Sequence, residues 1–155
     1  MRKSAAKKRY LAPDPKFKDP LVTRFVNDMM YSGKKSTSFA IFYGAMDLIK
    51  ESTGEEGYDV WKKACSNAMP GVQVKSRRIG GATFQIPAPI REDAKISLTN
   101  KWIIGFARKR NGRSMQEKLA AELMAAAKGE GPSIKKKEYT HKMAEANKAF
   151  AHFRV

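Results

Sequence analysis

Along this chain apolar residues recur first at helical spacing, then at alternate positions, then at helical spacing again. Asp19-Pro20 reads as an acidic N-cap followed by proline at the first helical position. Behind it Leu21, Val22, Phe25, Val26, Met29 and Met30 share one face, stopped by Ser32-Gly33. A second helix is expected from near Ser36, burying Phe39, Ile41, Phe42, Met46, Leu48 and Ile49 before the Ser52-Thr53-Gly54 break. A third, capped by Asp59, presents Val60, Trp61, Ala64, Cys65, Ala68 and Met69 and ends at Pro70.

Between Val72 and Pro89 the period changes to two, with Gly80-Gly81 separating two alternating runs, a strong signal for a two-residue hairpin turn. With the glycines as the turn, Ile79 faces Ala82, Arg78 faces Thr83, Arg77 faces Phe84 and Lys75 faces Ile86. One face then mixes apolar and cationic groups. No other run reads as a strand, and a lone hairpin is marginal in water, so it should stand out as a finger completed by what it touches.

Helical spacing resumes after Glu92 and Asp93, which suit a helix N-terminus. Leu98, Thr99, Trp102, Ile103, Phe106 and Ala107 form the expected buried stripe, and Asn111-Gly112 the C-terminal stop. Ser114-Met115-Gln116-Glu117 is a capping box ahead of Leu119, Leu123 and Met124, closed by Gly129 and Gly131-Pro132. A last helix from about Ser133 carries Tyr139, Met143, Ala146 and Phe150. The fold class is therefore mainly α: a single domain of about six helices with one protruding two-stranded β-hairpin. A basic N-terminal tail covers 1–12, and the helical domain, with its hairpin at about 72–89, covers 13–155.

At 155 residues, about two thirds of the unfolded surface can be buried, enough for one core. The net charge is +16, from 31 Lys and Arg against 15 Asp and Glu. Residues 1–50 hold eleven bases and four acids, 51–100 seven and six, and 101–155 thirteen and five, so both ends are basic and the middle is balanced. A body this cationic repels itself unless a polyanion neutralises it. Nucleic acid is the natural partner and an anionic membrane surface the weaker one. No apolar run approaches the roughly 20 residues of a membrane span. The single cysteine, Cys65, makes no internal disulfide and reads as core in a cytoplasmic protein.

Candidate chemistry follows the cations. Arg2, Lys3, Lys7, Lys8 and Arg9 form a tail free of acids, suited to an RNA groove. Gly33-Lys34-Lys35-Ser36 lacks the upstream glycine of a nucleotide-binding loop, because Asp28 stands there, and suits a backbone phosphate at a helix start. The hairpin brings Lys75, Arg77 and Arg78 beside Phe84, a combination able to contact phosphates and stack on exposed bases. Arg108, Lys109, Arg110 and Arg113 exceed what capping a helix needs, and Lys135, Lys136 and Lys137 sit at a helix N-terminus, where the dipole disfavours cations. His141 and His152 have no metal-ligand companions at suitable spacing. No GxSxG elbow, dinucleotide fingerprint or HExxH motif occurs, so no enzyme, metal or cofactor is expected. A duplex DNA binder using Leu98–Ala127 as helix, turn and recognition helix would read bases with little beyond Gln116 and Lys118. A small RNA-modifying enzyme would need a cofactor loop or a paired acid and base.

Three stretches, Gly33-Lys34-Lys35-Ser36-Thr37, Val74 to Pro87 (VKSRRIGGATFQIP) and Met143 to Arg154 (MAEANKAFAHFR), closely resemble the bacterial small-subunit ribosomal protein family S-seven. The resemblance runs in order from about Pro13 to Val155. It implies a helical domain with a protruding β-ribbon that binds the 3′ major domain of small-subunit rRNA and nucleates assembly of the head. It also implies a place at the subunit interface, near exit-site tRNA and the mRNA path, beside proteins of the S-nine and S-eleven families. Some bacterial members bind their own operon messenger as a repressor. On this reading the rRNA contacts are the tail, Lys34, Lys35, Lys75, Arg77, Arg78, Arg91, Arg108, Lys109, Arg110, Arg113 and Lys135 to Lys137. Those nearest tRNA and mRNA are Arg78, Ile79, Gly80, Gly81, Lys142, Lys148, His152 and Arg154. Neither a membrane nor a small-molecule substrate is implied.

Overall fold

Helix α1 (Pro20–Met29) begins where Asp19 and Pro20 place it: the Asp19 carboxylate accepts the Leu21 N–H at 2.8 Å from extended backbone. Its buried face is Val22, Phe25, Val26 and Met29, whereas Leu21 is 41% exposed, because the core lies under Val22 and the preceding position falls off its edge. The computed structural model describes residues 9–153, so Arg2, Lys3, Lys7, Lys8 and Arg154 lie outside the described residues.

Helix α2 (Lys35–Thr53) buries Phe42, Ala45, Met46 and Ile49, while Phe39, Ile41 and Leu48 pack only against the core's rim. In α3 (Gly57–Ala68) the N-cap is Glu56, so Asp59 stands inside the first turn, where a carboxylate still favours the helix dipole. Phe25, Phe42 and Trp61 join the three helices, with ring centroids 5.7 to 5.8 Å apart and tilted or edge-on contacts.

Helix α4 (Glu92–Lys109) opens on Glu92 and Asp93, but its buried face is rotated from the apolar stripe. Thr99, Asn100, Ile103, Ile104 and Ala107 are buried, and Leu98, Trp102 and Phe106 are half-buried. The cause is polar: the Asn100 carboxamide donates to Asp28 at 2.7 Å, and Arg24 donates to the Asp93 carbonyl and Ser97 hydroxyl at 2.7 and 2.8 Å, setting how α4 lies on α1. The helix stops at Arg110, in extended backbone, before Asn111-Gly112.

Helix α5 (Met115–Ala127) is capped by Ser114, whose hydroxyl accepts the Glu117 N–H at 3.3 Å, while Glu117 accepts the Arg113 N–H at 3.1 Å. It packs against α2, α3 and α4. Its buried alanines, Ala120, Ala126 and Ala127, let those neighbours approach closely. Helix α6 (Pro132–Ala146) buries Ser133, Ile134, Thr140 and Ala144 and leaves Tyr139 56% exposed. The chain leaves α geometry at Asn147, so Phe150 belongs to a following 3-10 turn, Lys148–Phe153, and not to α6.

Strands β1 (Val72–Ile79) and β2 (Ala82–Pro89) pair antiparallel with Ile79 opposite Ala82, Arg77 opposite Phe84 and Lys75 opposite Ile86. Gly80 and Gly81 have φ of +56° and +88°, the positive values that a two-residue turn matching strand twist requires. The root of the ribbon is anchored. The Gly71 N–H donates to His141 Nε2 at 3.1 Å, Ile86 is buried, and the Phe84 ring lies 5.4 Å from both Phe150 and Phe153. From Lys75 to Thr83 every residue is exposed.

Candidate nucleic-acid interface

Strand alternation decides what the ribbon offers. Lys75 and Arg77 share a face with Ile86 and Phe84, which bind the ribbon to the 3-10 turn, so these two cations flank a seated apolar strip. Arg78 points to the opposite face, across from Thr83. Each side of the finger therefore carries positive charge. Because Phe84 packs on Phe150 and Phe153, Lys148 and His152 are brought beside the ribbon, both exposed. His152 lies against the Phe153 ring, with centroids 4.0 Å apart. Lys142 is exposed on α6, and Arg91 is exposed at the end of the ribbon as the N-cap of α4.

A second basic region forms where the α1–α2 turn meets the α4–α5 loop. Lys34 and Lys35 are exposed at the start of α2, Lys34 as an N-cap with no side-chain capping bond and Lys35 with its ammonium 5.7 Å from the Phe39 centroid. Arg108 donates to the Met29 carbonyl at 2.9 Å and lays its guanidinium 4.1 Å over the Tyr31 ring. Arg113 is exposed, and Lys109 lies 5.9 Å from the Phe106 ring. Arg9 is exposed ahead of the first turn.

Two further sequence-derived cations, besides Arg108, are engaged inside the protein. Arg110 Nε donates to Glu122 at 2.5 Å; that carboxylate is fully buried and also accepts the Ser133 N–H and hydroxyl at 3.3 and 2.5 Å. Lys137 donates to the Asn67 carbonyl at 2.6 Å, which ties α6 to α3. Lys135 is exposed, and Lys136 lies 5.5 Å from the Tyr139 ring.

Sequence reasoning gave no role to Tyr31, 67% exposed, and weighed Lys118 only for a DNA-reading helix; both line one cavity with Arg108 and Arg113. An aromatic standing outside a helix's apolar face, three residues before a lysine pair, was the available signal. Cys65 is no nucleophile: burial pushes its thiol up to about 12, leaving negligible thiolate at neutral pH. Burial, and an Asp14 carboxylate accepting its hydroxyl at 2.5 Å, likewise push Tyr43 up to about 12. Among the described residues no cluster of His, Cys, Asp and Glu could hold a metal ion, and no helix is long and apolar enough to cross a membrane.

A helical body carrying a cationic ribbon and basic loops defines a protein that works by holding nucleic acid. The family model for "Ribosomal protein S7p/S5e" matches residues 1–148. Over 99% of both chains the sequence is 56% identical to the small ribosomal subunit protein uS7 of Cytophaga hutchinsonii and 62% identical to that of Christiangramia forsetii. It is 56% identical, over the full length of both chains, to uS7 of Amoebophilus asiaticus. The chain belongs to the ribosomal protein S7p/S5e family.

Proposed function

We propose that this protein binds the 3′ major domain of small-subunit rRNA directly and nucleates assembly of the subunit head, with the β-ribbon as its principal reach into RNA. As a ribosomal protein of the small subunit it has a structural, rRNA-binding and non-enzymatic role in the cytoplasmic ribosome. The observation that carries the finer reading is the ribbon: rooted on α6 and the 3-10 turn, exposed from Lys75 to Thr83, and cationic on both faces. Arginines on a projecting ribbon suit the irregular junctions and loops by which RNA is recognised.

The same reading assigns Arg78, Ile79, Gly80, Gly81, Lys142, Lys148 and His152 to the side nearest exit-site tRNA and mRNA. It places proteins of the S-nine and S-eleven families as neighbours and allows repression of the protein's own operon through its messenger. The close seating of the 3-10 turn on Phe84 supports treating ribbon and C-terminal segment as one surface. A DNA-reading role for Leu98–Ala127 is disfavoured, because α5 packs against α2, α3, α4 and α6 with alanines buried.

The test is binding of the full protein to the isolated 3′ major domain at physiological salt, with matched duplex DNA and an unrelated structured RNA as competitors. Selective binding, with protection at a multi-helix junction, is expected. Equal affinity for all three would leave charge alone as the basis of binding. Replacing Arg77 and Arg78 with Ala should flatten the slope of log affinity against log salt by about one to two. An unchanged slope would remove the ribbon from the interface.

A further inference from the structure

We propose that the cavity between the α1–α2 turn and the start of α5 seats one unstacked RNA nucleotide, its base on the open face of Tyr31 and its phosphate between Arg113 and Lys118. This rests on the reading of the protein as RNA-binding and names the chemistry of one place on it. The cavity measures about 370 Å³, and its lining includes Tyr31, Ile41, Arg108, Arg113, Met115 and Lys118. That volume is within the range of small-ligand sites, about 300–1,000 Å³.

Tyr31 is an unusual residue to leave in water: two thirds of it is exposed at a turn. Its other surface is occupied by the Arg108 guanidinium at 4.1 Å, which is itself held by donation to the Met29 carbonyl at 2.9 Å. The ring is thus backed by a fixed cation, which lowers the side-chain ordering cost when a base stacks on its free side. The two walls are also held in register. The Gln116 side chain lodges against Gly44, where a Cβ would come within 2.7 Å of it, and donates to the Ala40 carbonyl at 3.4 Å, docking the start of α5 on α2. Glu117, the acid beside the cavity, directs its carboxylate to the Arg113 backbone N–H. Arg108, Arg113 and Lys118 therefore give the lining an excess of positive charge over a flat aromatic shelf. A peptide carboxylate would use the cations but not the shelf; a nucleotide uses both, and only an unpaired base has a free face to offer.

The test uses the full protein and a single-stranded RNA hexamer carrying one 2-aminopurine, with a blunt RNA duplex of the same sequence as control. Wild-type protein should quench the 2-aminopurine emission. Tyr31→Ala should abolish the quenching and weaken hexamer binding about tenfold at an unchanged salt slope, since stacking moves no counterions. Tyr31→Phe should preserve both, and duplex binding should not respond to either change. Arg113→Ala combined with Lys118→Ala should reduce the salt slope by about one to two. Absence of quenching by the wild type, or Tyr31→Ala behaving as wild type, overturns the proposal. The Arg77 and Arg78 replacements, assayed on the 3′ major domain, report separately on the broader function, so either reading can fail while the other stands.

Discussion

Arg110 illustrates how a residue's charge can be misjudged from its neighbours in sequence. It stands in a basic run with Arg108 and Lys109, yet it pairs with a carboxylate that is fully buried and that also holds the start of α6 through Ser133. Removing the arginine strands a buried charge, whereas removing the acid leaves a guanidinium with a route to water. Arg110→Ala should therefore cost about 3–5 kcal/mol, and Glu122→Gln, which keeps an acceptor for Ser133, about 1–3 kcal/mol. Urea denaturation of both variants checks the order; equal and small effects would refute it. In the core, Phe25→Ala should cost about 3–5 kcal/mol, and Trp102→Ala distinctly less, because Trp102 is only half-buried. Tyr43 gives a pH signature. Its folded pKa lies above the ordinary phenol value, so its contribution is complete below about pH 10 and fades as pH rises toward 12. Absorbance titration should show Tyr43→Phe losing the last phenol to ionise.

At the level of elements, the ribbon and its anchorage make separable predictions. Phe84→Ala removes the ring shared with Phe150 and Phe153 but touches none of the central helices, so amide exchange in β1 and β2 should accelerate while overall stability falls little. Uniform acceleration throughout the molecule would mean that ribbon and body unfold together. The ribbon was legible in the sequence because a period of two and a Gly-Gly turn together permit one register. The α1 cap was legible for a similar reason, since Asp19-Pro20 is a local device. The face of α4 was not: Asn100 is buried through a bond to Asp28, 72 residues away, and hydrophobic spacing carries no trace of such a partner. The exposure of Tyr139 was hidden in the same way, because an aromatic at helical spacing usually signals core. For the interface, sequence displayed the cations but not their engagement, which Arg110–Glu122 and Lys137–Asn67 settle only in three dimensions.

The whole molecule bears a net charge of +16 on a single small core. Self-repulsion of that size opposes compactness, and it is screened over about 10 Å at 0.1 M salt. Raising sodium chloride from about 0.01 to 0.15 M should raise the Tm of the free protein, and a flat response would show the charges already compensated. The tip of the ribbon has a different consequence, one of clearance. Its turn is two glycines between Ile79 and Ala82, so the two turn residues themselves are no thicker than bare backbone, with strands about 5 Å apart. Such an end can slide into a slot that would stop any side chain. What it meets there it meets with peptide N–H and C=O groups, which are alike in every sequence. At the turn itself the width of the surroundings therefore matters more than the identity of any base, while Arg77 and Arg78 behind it keep the charge, and enlarging the glycines should matter more than changing the polarity of the turn.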